Sequence, residues 1–105
     1  MKKLLLSEST FPGDLLEDLW NIRSILLHYG AVKIILYGSL ARGDYRPNSD
    51  IDICVEGLPD QNYFRALAEC LMKARHSVSV LDFKNVWGQF RERILQEGKI
   101  LYERE

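Results

Sequence analysis

The chain has 105 residues, enough to bury one core but too few to add a separate substrate-binding domain, so it reads as a single domain over 1–105. Fourteen Lys and Arg stand against 15 Asp and Glu, for a formal charge of −1; spread along the chain, they form no basic stripe of the kind a phosphate backbone requires, which disfavours nucleic acid as a partner. Cys54 and Cys70, the only cysteines, have neither metal-ligand spacing nor a disulfide framework and read as buried thiols in a reducing compartment.

Met1-Lys2-Lys3-Leu4-Leu5-Leu6 imitates a signal peptide, but the apolar run stops after three residues at Ser7 and Glu8. With no membrane span after it, the sequence points to a cytoplasmic protein. Pro12-Gly13 closes an irregular start, and Asp14 is placed to cap a helix with Glu17 as its reciprocal partner. That helix is predicted to run to about His28, with Leu15, Leu19, Ile22 and Leu26 at helical spacing against a sheet, and Gly30 as its stop. Trp20 and Tyr29 flank this face as core or subunit-interface residues, and His28 suits the helix C-terminus. Residues 32–37 are β-branched and apolar, a strand; Gly38-Ser39 breaks it where a short helical turn can begin. After a loop in which Pro47 stiffens the turn, Asp50 to Val55 resumes as a strand. Asp60 is predicted to cap a second long helix ending near Arg75, with Phe64, Leu67, Leu71 and Met72 on its apolar face. Residues 77–83 form a third strand, in which Val78, Val80 and Asp82 share a face. Asn85 is predicted to cap a last helix through Trp87, Phe90, Ile94 and Leu95, stopped by Gly98 before Lys99 to Tyr102 runs out extended. The whole is an α/β domain, a small mixed sheet with helices packed on one face and carboxylates on the open side.

The chemistry concentrates between Gly38 and Asp52. A glycine at a strand end lets the backbone approach a ligand closely, the N–H groups of the turn that follows have no internal partners, and Ser39 adds a hydroxyl donor. Strand alternation puts Asp50 and Asp52 on one face and Ile51, Ile53 and Val55 on the other. At ~3.3 Å per residue the carboxylates begin roughly 6–7 Å apart, a spacing suited to divalent cations ~3.5–4 Å from each other. Two like charges ~4 Å apart repel by ~4 kcal/mol at a mid-range dielectric, a cost that a bound cation offsets.

Gly38-Ser39, ten residues, then Asp50-x-Asp52 resembles the signature of the polymerase β-like nucleotidyltransferase superfamily. The fuller pattern, Gly38-Ser39-Leu40-Ala41-Arg42-Gly43 with Ser49-Asp50-Ile51-Asp52-Ile53, is similar to the minimal nucleotidyltransferases of prokaryotes. The resemblance implies a polymerase β palm-like fold and transfer of a nucleotidyl group. ATP is the implied donor, its outer phosphates on Gly38, Ser39 and Arg42, with Mg²⁺ on Asp50, Asp52 and a third carboxylate on a neighbouring strand, for which Asp82 is the candidate. By sequence alone Asp82 fits a strand-end cap equally well. Arg46 and Asp44 read as loop residues. The resemblance further implies a HEPN-domain partner: the chain would be the antitoxin of a toxin–antitoxin pair, transferring AMP to a tyrosine hydroxyl of the toxin, in a homo- or hetero-oligomer. The rival reading is an antitoxin that neutralises its partner by binding alone; retention of Gly38, Ser39, Asp50 and Asp52 together argues against it. Modification of a small molecule is disfavoured by the missing substrate domain.

Overall fold

Alternating side chains along residues 33–37 and 51–56 give the central strands two faces, and each face is covered differently. In the computed structural model, which describes residues 1–44, 46 and 48–105, strands β1 (Lys2–Lys3), β2 (Lys33–Tyr37), β3 (Ile51–Glu56), β4 (Val78–Asp82) and β5 (Lys99–Glu103) join helices α1 (Gly13–His28), α2 (Gly38–Arg42), α3 (Asp60–Lys73) and α4 (Gly88–Glu97). Pro47, and with it the stiffened turn, lies outside the described residues. The strands form one mixed sheet in the order β1-β5-β2-β3-β4. β2 runs antiparallel to β3 and β5, while β3–β4 and β1–β5 are parallel.

On the first face Ile34, Leu36, Ile51, Ile53, Val55 and Val80 meet Leu15, Leu19, Ile22 and Leu26 of α1 and Ala66 and Cys70 of α3 in one apolar cluster. These are the α1 positions the helical spacing predicts. Asp18 is buried in the same layer at 2% exposure. One of its oxygens, Oδ2, accepts from the backbone N–H groups of Arg75 and His76, both at 2.9 Å, and lies 2.7 Å from His76 Nδ1. This carboxylate fastens α1 to the turn between α3 and β4, and the helical pattern of leucines gave no sign of it.

The second face is covered by α4, which departs from the expectation of helices on one face only. Ile35 and Cys54 project there, and Phe83, Val86 and Ile94 close over them in a smaller cluster. Leaving Ile35 and Cys54 in water would forfeit the burial of two apolar side chains, so the open side of the sheet is only partly open. Gly98 connects α4 to β5 directly; a Cβ there would come 2.5 Å from the Ile94 carbonyl and 2.7 Å from Ile35 Cγ2.

Several local expectations are corrected. The start is not irregular throughout: β1 pairs with β5, and Leu6 enters the core. Neither Asp14 nor Asp60 is an N-cap; Pro12 and Pro59 hold those positions without side-chain cap bonds. Asp14 lies in the first turn and accepts from the Leu15 N–H at 2.9 Å, Glu17 faces Arg75 at 3.7 Å, and Asp60 pairs with the Lys84 ammonium. Asn85 ends a 3₁₀ turn, Phe83–Asn85, and α4 starts at Gly88 after Trp87 in the cap position. The largest correction is on α3. Phe64 and Met72 are 77% and 86% exposed and Leu71 is exposed as well, whereas Ala66 and Cys70 face inward. Of the predicted face only Leu67 packs against the core, beside Tyr63, while two small residues one turn apart let α3 lie close to its neighbours.

Candidate active site

β2 delivers the chain to the site in extended conformation, with Tyr37 at φ −131° and ψ −171°, and then turns sharply at Gly38, whose φ is +74°. Position 38 must be glycine for two reasons. An L side chain rarely adopts that φ, and a Cβ there would lie 2.3 Å from Asp52 Oδ2. The Asp52 carboxylate therefore rests directly over the Gly38 α-carbon. This contact follows from register, because Tyr37 is the cross-strand partner of Asp52. α2 is held to one compact turn by bonds from the Gly43 N–H to the Leu40 carbonyl, 3.2 Å, and from the Asp44 N–H to the Ser39 carbonyl, 2.9 Å. Ser39 is half-buried at its start.

Asp50, just before β3, is exposed, and Asp52 is half-buried. Burial, and then the neighbouring Asp50 charge, push the Asp52 carboxyl above its ordinary range, against the opposing pull of Arg42. Burial also pushes the Tyr37 phenol up to about 12, with Asp52 adding to the effect and a hydrogen bond from the Ser79 hydroxyl opposing it. The Arg42 side chain engages Glu97 of α4 at 3.0 Å and still acts on Asp52 through its charge. Glu97 is thus a component of the site that sequence reading missed; 55 residues separate it from Arg42, and no local pattern links them. Asp44 and Arg46 are exposed loop residues.

Asp82 stands apart from this group. In the parallel β3–β4 pair, Asp52 is opposite Ser79, and Asp82 is opposite Val55. Three residues along β4 correspond to ~10 Å, and an odd step reverses the face. Its carboxylate instead accepts the Lys84 N–H at 3.1 Å and lies 3.8 Å from the Lys84 ammonium. Of the two readings left open by the sequence, this is the strand-end cap. Among the described residues no group of three His, Cys, Asp or Glu side chains could hold a metal ion. The residue that faces Asp52 from the neighbouring strand is a serine.

The structure thus brings Gly38, Ser39, Arg42, Asp50 and Asp52 together and leaves Asp82 outside. An oxygen-only donor set of two carboxylates, one raised first by burial and then by the charge of the other, fits a hard divalent cation such as Mg²⁺. The glycine beneath it leaves the space that the Asp52 carboxylate occupies.

Comparison with known proteins bears on what such a site does. The family model for polymerase beta nucleotidyltransferases matches residues 21–105. A protein of Methanocaldococcus jannaschii, provisionally named a protein adenylyltransferase, is 38% identical, the match spanning 67% of this chain and 77% of that protein. Among solved structures, a toxin–antitoxin crystallised with AMP-PNP superposes with a TM-score of 0.69 at 22% identity, over 81% of this chain and 73% of that one. A Shewanella oneidensis complex of a tri-AMPylated HEPN toxin with an MNT antitoxin gives 0.64 at 19% identity, over 86% and 72%. At these identities the superpositions speak to the fold. No helix among the described residues is long and apolar enough to cross a membrane.

Proposed function

The chain belongs to the polymerase beta nucleotidyltransferase family, and from that premise we propose that it moves AMP from ATP to a hydroxyl of a partner protein, a tyrosine of a HEPN-type toxin, and so acts as the antitoxin of a cytoplasmic pair. The observation that carries this reading is the close approach of the Asp52 carboxylate to Gly38. A phosphate cradle and a cation-binding edge are in contact there, as transfer at an α-phosphate requires.

The residues divide the work. Gly38 and the N–H groups at the start of α2 receive the outer phosphates, and the Ser39 hydroxyl donates to them. Arg42, already held by Glu97, supplies positive charge beside the same oxygens. Asp50 and Asp52 would hold Mg²⁺, which would supply positive charge to offset that of the phosphates. The acceptor hydroxyl oxygen bonds to the α-phosphorus as the bond to the bridging oxygen breaks, and pyrophosphate leaves with the electron pair. The ionised carboxylates of this edge can accept the hydroxyl proton. The surface of the partner protein completes the acceptor side of the site. The provisional name of the M. jannaschii relative and the toxin–antitoxin structures with the same fold support this choice of acceptor.

The test is to mix the protein with the HEPN-type partner, Mg²⁺ and ATP labelled at either the α- or the γ-phosphate. The α-label should move to the partner, whose intact mass rises by whole adenylyl units, and the γ-label should appear in pyrophosphate only. Neutralisation of the partner with no mass change, equally good in Asp50→Asn, would leave an antitoxin that works by binding alone.

A further inference from the structure

Beyond β4 the chain leaves a wall of aromatic rings that the second core does not use. Phe83, Val86 and Ile94 close that core, yet Trp87 and Phe90 beside them stay 76% and 45% exposed. With Tyr63 and Leu81 they line a pocket of about 350 Å³, whose remaining polar lining is Asp82 and Asn85. The size lies at the lower end of the range for small-molecule sites, ~300–1,000 Å³.

One ring of this pocket touches the strand that leads to the carboxylate edge. Phe90 meets the Tyr37 ring edge-on, with centroids 5.8 Å apart, and Tyr37 is both the residue before Gly38 and the partner of Asp52. Leu81 lies on the same sheet face as Asp52, two residues along β4 from Ser79, or roughly 7 Å.

We propose that the pocket of Trp87, Phe90 and Tyr63 receives the base of the nucleotide whose phosphates lie on Gly38, and that Asp82 and Asn85 read the base's amino edge. The inference rests on the transferase reading above and adds a specificity to it. Exposed aromatic faces stack on any base, a sequence-tolerant attraction. Selection comes from the polar end. Asp82 is 8% exposed and fixed by the Lys84 N–H, and an ionised carboxylate only accepts hydrogen bonds. It favours a base that presents an amino group, as adenine does at its 6-position, and disfavours a 6-oxo purine, whose carbonyl oxygen would face it with no proton between.

Calorimetric titration in Mg²⁺ with a non-hydrolysable ATP analogue, the matching inosine analogue and inorganic tripolyphosphate tests this. Trp87→Ala, a change at an exposed side chain, should weaken the ATP analogue about tenfold and leave tripolyphosphate unchanged. The parent should prefer the adenine analogue to the inosine analogue, and Asp82→Asn, which gains an N–H donor of the same shape, should erase that preference. Gly38→Val should lose all three ligands. Unchanged ATP-analogue affinity in Trp87→Ala overturns the base pocket and leaves the transferase reading standing. If the parent binds neither the ATP analogue nor tripolyphosphate, both fall. Loss of partner binding in Trp87→Ala with nucleotide affinity intact would make this wall a protein-docking surface and likewise overturn the proposal.

Discussion

Asp18 and Asp52 are both acids withdrawn from water on opposite faces of one sheet, and their surroundings differ in kind. Asp18 is almost wholly enclosed, but two backbone N–H groups and the His76 ring converge on one of its oxygens. No hydrogen-bond donor among the described residues reaches Asp52, which instead has Asp50 beside it and Gly38 beneath it. A buried carboxylate with its donors in place ties elements together; a half-buried one beside a like charge costs stability unless a ligand arrives. Burial alone therefore does not mark a functional acid. What separates the two is whether the protein itself satisfies the group.

The contrast would break most visibly at Asp52. Asp52→Asn should lower nucleotidyl transfer by about a thousandfold, roughly 4 kcal/mol of barrier, while leaving the melting temperature in metal-free buffer equal or higher and abolishing the rise that Mg²⁺ gives the parent. Equal Mg²⁺ shifts in both proteins would remove the cation from this edge. The opposite profile belongs to Asp18. Asp18→Ala leaves three part-buried groups, the Arg75 and His76 N–H and the His76 ring, without their acceptor and should cost about 2 kcal/mol in urea unfolding, with transfer per folded molecule retained.

A pH series sharpens the comparison further. The folded carboxyl of Asp52 is raised above its ordinary 3.8, so the folded chain takes up a proton there before the unfolded chain does. Ionised Asp52 thus destabilises the fold at neutral pH, and the penalty disappears as pH falls through the raised value toward 3.8. The thermal advantage of Asp52→Asn should accordingly be largest near pH 7 and narrow as pH approaches 4; an advantage that grows on acidification would contradict the assignment. The smallest effect is expected at Arg42 and Glu97. That pair is partly exposed, so Glu97→Gln should change stability by no more than about 0.5 kcal/mol, while altering triphosphate affinity through the freed guanidinium.

Which of these features could be read in advance depends on how far apart their parts lie in the chain. Gly38, Ser39, Asp50 and Asp52 fall within fifteen residues, and alternation alone assigns the two acids to one face. The α1 stripe was legible for the same reason, since one period governs it. Asp18 with His76 spans 58 residues and Arg42 with Glu97 spans 55, so neither leaves a local mark. Asp82 is the instructive case. Its strand was readable, but its place depends on pairing with β3, and that register puts Ser79 opposite Asp52. The helix starts were misread because Pro12 and Pro59 occupy the cap positions themselves, which draws the acids that follow them into the first turn. On α3 the fully buried positions go to the small Ala66 and Cys70, with Leu67 and Tyr63 at their flanks and Phe64, Leu71 and Met72 in solvent.

The two cysteines fall one on each side of the sheet: Cys70 in the layer under α1 and α3, Cys54 in the layer under α4. Both are fully enclosed, and burial pushes both thiols up to about 12, so neither reacts with an alkylating reagent until its own layer opens. Labelling Cys70→Ser and Cys54→Ser singly then times the two layers independently within one molecule. The nucleotide-side layer, with the smaller core, should open the more often, and nucleotide should slow Cys54 alkylation while leaving that of Cys70 as it was.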